Sequence, residues 1–247
     1  MSRTIITCVG TLGLLLSNLA LADAQQLDAL HLRRDDADAR KEALALAAKI
    51  EKTPSPPFEL LWRAARVHCW EADLANRAAE GETAKQHAQR CWDLGDAAAK
   101  LEPKRAEGFL WAAQGVGMWA RANGVLASFL GGIEGKFNQR LDRAIRLDAT
   151  MDRGSAWLIR GAFFYEAPWP RRDLNRARSL LSTTVERFPE NLRARLYLAR
   201  IDAEGGALKQ ALATLEKIEA ADVAYDPPGG RMVKAEARLF ADTLRPR

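Results

Sequence analysis

A repeat of 34 residues constrains this chain more than any other feature of its sequence. Ala177, Leu181 and Thr184 stand before Pro189, and adding 34 to the first three positions gives Ala211, Leu215 and Ile218. Residues of these sizes recurring at helical spacing mark the second helix of a two-helix unit. The small residue lets two helices approach, the large one fills the gap, and the proline ends the helix. Trp157, Gly161 and Phe164 supply aromatic, small and aromatic slots on the first helix of the same unit. Such a unit cannot bury its apolar face alone, so neighbouring units must stack.

Helical periodicity extends through the rest of the chain. Residues 26–52 read as helix with a turn near Arg33–Asp36. Thr53-Pro-Ser-Pro-Pro57 then stops it, because each proline lacks an N–H and restrains the residue before it. Further helices are expected over 58–74, 82–101, 107–122, 137–147, 155–165, 173–188, 191–203, 207–220 and 232–244, divided by Pro103, Asn123-Gly124, a Gly-containing link, Glu166–Pro170, Pro189, Gly205-Gly206 and Tyr225–Gly230. No alternating strand pattern of useful length is present. Alanine dominates the apolar residues, which favours helix over strand. Two earlier pairs fit with longer connections. Trp62, Ala65, Arg66 and Cys69 would face Cys91, Gly95, Ala98 and Pro103, and Trp111, Gly115 and Met118 would face Phe137, Leu141 and Ala144. The spacing is that of the tetratricopeptide repeat (TPR). It predicts an all-α, right-handed TPR-like solenoid of about four helix pairs plus N- and C-terminal helices, a single domain over 23–247, with the first helices lining the concave side.

The first residues read as a targeting segment. Met1–Arg3 is basic, residues 5–21 are apolar but broken by Gly10, Gly13, Ser17 and Asn18, and Ala20-Leu-Ala22 is a small-x-small cleavage site, with Ala22-Asp-Ala24 as its alternative. A secretory signal peptide over residues 1–22 is expected, hence a periplasmic protein. Cys8 precedes most of the apolar run, where a lipoprotein cysteine would not lie, and no later stretch is long and apolar enough to span a membrane. Export excludes nucleic acid as a partner. The formal charge of +5 is spread without any block of like charges, so it speaks to solubility.

Several stretches carry a family resemblance: Phe58–Arg66, Ala97–Pro103, Ala144–Asp148, Gly161–Pro170 and Asn191–Ala199. Over about residues 36–220 the chain resembles the TPR family associated with tripartite ATP-independent periplasmic (TRAP) transporters, their T component. The long Gly-containing link after Ala122 and the Pro-Trp-Pro loop are its more specific marks. The resemblance implies an α-helical, non-enzymatic periplasmic protein working beside the substrate-binding protein of a secondary transporter.

Motifs for catalysis are thin. There is no Walker loop, no G-x-S-x-G and no H-E-x-x-H, and the glycine pairs sit at helix ends, where glycine caps or turns. No cofactor is implied and no enzyme is expected. One constellation stands out: His87 and Cys91 share a helix face, and His68 and Cys69 lie on the helix folding back against it. Metal ligation, a Cys69–Cys91 disulfide and two buried thiols are the three readings. The oxidising compartment favours the bridge over a metal, and no metal site is assigned.

The aromatic positions divide into two sets. Trp62, Trp111 and Trp157 are the packing set. Position twelve of three successive units holds Trp70, Trp119 and Tyr165, a column on the groove wall, with Leu60, Val67, Phe109, Val116, Leu158 and Ala162 beside it and Arg63, Glu71 and Glu166 among the few charges. The alternative is that this column packs against a terminal helix and is core. An apolar groove suits a partner's helix or an apolar small ligand. The expected function is therefore a periplasmic binding or scaffold protein, with a TRAP substrate-binding protein as partner. A free-standing TPR adaptor of another envelope assembly is the alternative, and a helical metal carrier or enzyme a more remote one. A homo-oligomer is left open.

Overall fold

A computed structural model of the chain describes residues 20–124, 128 and 131–245. The expected signal peptide lies outside these, apart from residues 20–22, and so does most of the link at 125–130. The described residues contain helices and turns and no strand, the all-α TPR-like class. A helical segment at residues 20–31 is followed by α1 (Ala37–Lys52), α2 (Phe58–Arg77), α3 (Gly81–Leu101), α4 (Ala106–Ala122), α5 (Ile133–Leu147), α6 (Met151–Glu166), α7 (Leu174–Arg187), α8 (Leu192–Glu204), α9 (Leu208–Ala220) and α10 (Pro227–Leu244).

Local chemistry sets the helix boundaries. Asp36, Asp173, Asn191 and Asp226 each accept a backbone N–H in the first turn of the helix that follows, satisfying a donor the helix leaves orphaned. The last helix begins at Pro227, five residues before the expected start. Proline is tolerated in a first turn, because the N–H it lacks would have no intrahelical partner there. The expected start of α6 also moves, across a kink at Asp152, Arg153 and Gly154, all with positive φ.

The described residues fall into two compact units, one ending at Trp119 and the other beginning at Ala120. In the first unit α2 and α3 form an antiparallel hairpin, and α1 packs on α2. Its core joins Leu27, Leu30, Leu46 and Ile50 of the N-terminal helices to Leu60, Leu61 and Val67 of α2. Helix α4 lies close against α3: a Cβ at Gly95 would come within 2.5 Å of the Ala112 nitrogen, and one at Gly108 within 2.4 Å of the Ala99 nitrogen. Gly95 thus serves the contact with α4, not the contact with α2 that its place in the repeat suggests.

In the second unit α6 pairs with α7 and α8 with α9, and α7–α8 and α9–α10 pack between pairs. Gly161 lets α6 meet α7, since a Cβ there would lie 2.7 Å from Leu181 Cγ. Ala177, Leu181 and Thr184 are buried at one period of the repeat, and Ala211, Leu215 and Ile218 at the next. Each fully buried leucine or isoleucine contributes about 1.5–3 kcal/mol of hydrophobic stabilisation before entropy is counted. Helices α6, α8 and α10 are neighbours, so the first helices of the successive pairs share a face.

Candidate functional site

The proposed column residues are distributed over both units, Trp70 and Trp119 in the first and Tyr165 in the second. On α2, the N-terminal helices cover the strip assigned to an open groove. Leu60 and Val67 are buried in the core they form with Leu27, Leu30 and Ile50. Trp70 is half-buried: its indole N–H donates to the Arg34 carbonyl at 3.0 Å, and the Arg34 guanidinium lies 4.3 Å over its ring. Arg63 is no free groove charge either, being held by Asp28 at 2.9 Å and Glu59 at 2.6 Å. Val116 is fully buried, while Phe109 and Trp119 are partly exposed. Leu60 and Val116 are therefore core and line no groove. The N-terminal helices have an apolar face of their own to bury, and this strip receives it.

The packing set also divides. Trp111 is buried, whereas Trp62 and Trp157 are partly exposed. Arg63 and Arg66 lie 4.0 and 5.1 Å over the Trp62 ring, and Arg187 lies 4.8 Å over Trp157.

Cys69 and Cys91 form a disulfide across the α2–α3 hairpin, with Cα atoms 5.2 Å apart. That removes both sulfurs as metal ligands. The two histidines meet each other. Their Nδ1 atoms are 2.9 Å apart and the rings stack, while His68 Nε2 meets Glu51 at 2.9 Å. Burial pushes both histidines below their ordinary value, opposed at His68 by Glu51 and reinforced at His87 by His68.

Tyr165 sits in a different setting. Its ring meets Tyr197 of α8 edge-on, with centroids 5.5 Å apart. The Tyr165 hydroxyl donates to Glu204 at 2.5 Å, and the Tyr197 hydroxyl donates to Glu166. Arginines complete the network. Arg172 pairs with Glu204 and lies over the Tyr165 ring, and Arg121 pairs with Glu166 at 2.6 Å. Arg200 lies 5.6 Å over Tyr197 and reaches Glu236 of α10, which also holds Arg193 at 2.6 Å. Burial first, and the Glu204 bond second, push the Tyr165 phenol up to about 12. Burial pulls Glu204 upward, but the bonds from Tyr165 and Arg172 outweigh it and leave this carboxyl below its usual range.

This face of the first helices is thus a lattice of tyrosine, arginine and glutamate, not the apolar wall expected around Tyr165. Tyr197, the missed member, lies 32 residues after Tyr165 on the next first helix, close to the repeat distance. Beyond Glu166 the Pro-Trp-Pro loop turns back, with the Asp173 N–H donating to the Phe164 carbonyl, and carries Trp169 into solvent at 88% exposure.

The family model of regulator of microtubule dynamics protein 1-3 matches residues 23–169, more than half of the chain. The chain belongs to that family. A tetratricopeptide-repeat model matches residues 171–239, from the loop before α7 into α10. It is a TPR protein, of the kind whose repeats act as protein-interaction scaffolds. No curated protein matches it.

Proposed function

We propose that the chain is a non-enzymatic adaptor of the periplasm, holding a segment of a partner protein on the face built from α6, α8 and α10. The observation that carries this reading is the Tyr165–Tyr197 pair, ringed by Arg172 of the loop after α6, Arg200 of α8 and Arg121 of α4. Tyrosine and arginine give large contact area with polar tips and dominate binding energy at protein interfaces. The carboxylates hold the arginines in place before binding, which lowers the ordering cost of association. A polar lining of this kind favours a protein segment over an apolar small molecule.

The finer form of the proposal follows from the sequence resemblance: an accessory T component that docks the substrate-binding protein of a TRAP-type transporter. An adaptor of another envelope assembly would use the same face.

Site-specific photo-cross-linking in intact cells tests it. A photoreactive residue at Tyr165 should give one discrete cross-linked species, and one at exposed Lys209 of α9 should give none. Identical products from both positions, or none from Tyr165, would remove the basis of the proposal.

A further inference from the structure

We propose that the N-terminal helices, residues 20–31 and α1, form a cover over α2 that acid releases. The cover is fastened by apolar contacts and by four polar clasps. Asp28 binds Arg63 at 2.9 Å and Arg66 at 2.7 Å, the Arg34 carbonyl takes the Trp70 N–H, Arg40 meets Glu71 at 2.5 Å, and Glu51 meets His68 at 2.9 Å.

All three histidines of the chain lie in this unit, at or behind the cover. His31, on the cover, faces the guanidinium groups of Arg34 and Arg66. His68, on α2, faces Glu51 of α1, Glu71 of its own helix, and His87 and Arg90 of α3. His87 faces the same groups.

A 2.9 Å contact between two Nδ1 atoms needs a proton on one side and a lone pair on the other. Glu51 can balance a first added proton. A second sets two N–H groups head-on, and His68, almost wholly buried, cannot turn away. At His31 a proton would place a third cation beside Arg34 and Arg66.

The α2–α3 hairpin cannot part to relieve this, because the disulfide at Cys69 and Cys91 pins it beside the histidine pair. The cover carries both His31 and Glu51, and moving it admits water to the added charges. Burial lowers all three histidines, with the arginines adding to the effect at His31. The closed form therefore holds fewer protons than the open one. Its advantage is complete above the free histidine value of about 6.5 and falls away as the pH drops below it. Opening would bare Leu60, Val67 and Trp70, the strip that the repeat register places on the groove.

Hydrogen-exchange mass spectrometry on the full exported chain tests the proposal, with rates corrected for intrinsic exchange at each pH. Between pH 7.5 and 5.0, residues 23–52 should lose at least about tenfold in protection while α7, α8 and α9 stay within about twofold. His31→Gln and His87→Gln replace partly exposed side chains and do not titrate, so each should reduce the loss. Unchanged protection of 23–52, an equal loss in both units, or a loss that neither variant reduces would overturn the proposal.

Discussion

Cys69 and Cys91 are bonded to each other from facing helices of one hairpin, with Cα atoms 5.2 Å apart and neither residue open to solvent. The bridge closes a loop with a sequence separation of 22, and in the chain-entropy model such a loop is worth about 3 kcal/mol. Cys69→Ala with Cys91→Ala should therefore lower the melting temperature by several degrees, and denaturant titration should give a loss near that energy. Mass spectrometry of the purified protein without reductant should find Cys69 and Cys91 bridged, neither of them alkylatable. Two alkylatable cysteines in that sample would contradict the bridge.

Glycines of this chain separate into two kinds, which a pair of alanine substitutions distinguishes. At Gly108 a Cβ would come within 2.4 Å of the Ala99 nitrogen, a backbone atom that cannot give way cheaply. Gly108→Ala should destabilise by about 1–3 kcal/mol or more. Gly135, inside α5, has nothing within 4 Å of such a carbon. Gly135→Ala should stabilise by roughly 0.5–1 kcal/mol through helix propensity. Denaturant unfolding of both variants checks the opposite signs.

The tyrosines give an alkaline signature. All three lie in the second unit, and each donates to a carboxylate: Tyr165 to Glu204, Tyr197 to Glu166, Tyr225 to Asp152. Burial leads and the carboxylates follow in raising all three, Tyr165 to about 12. A phenol raised on folding contributes stability that is complete below its unfolded value of about 10 and is lost as the pH climbs through the folded value. Absorbance at 295 nm should thus stay flat through pH 10 and rise only above about 11. Tyrosine ionisation midway at pH 10 in the folded protein would contradict the network.

The proposed export makes a prediction about the first residue of the mature chain. Asp23 accepts an ion pair from Lys49 at 3.0 Å, and Ala24 is buried. A cut after Ala22 keeps both contacts, and a cut after Ala24 loses them. If the chain is exported as proposed, intact-mass analysis should give Asp23 as its first residue. A chain beginning at Gln25 or Met1 would count against this.

Most helices could be read directly because their boundaries are written in local chemistry. Pro103, Pro189 and the Pro-rich stretch at 54–57 stop helices where they stand, and Asp173 and Asn191 announce the next. The start of α10 escaped because Pro227 and Pro228 read as a break, though a first turn accepts them. The groove was legible only in part. Repeat register can say that Leu60 shares a face with Trp70, but not that Leu27 and Leu30 cover that face, since this depends on how the cover folds back. The polar lattice has the same origin. Tyr197 meets Glu166 across 31 residues, and no short-range pattern announces a partner at that distance.

The most direct test of the account is the affinity of the partner captured through Tyr165, measured by calorimetry against the wild type and Tyr165→Ala. An interface anchor of this kind commonly carries about 2 kcal/mol, so the account predicts binding weaker by roughly thirtyfold. The variant should remain folded, because the ring is only partly buried. Equal affinity in a folded Tyr165→Ala protein would contradict the claim that this face holds the partner.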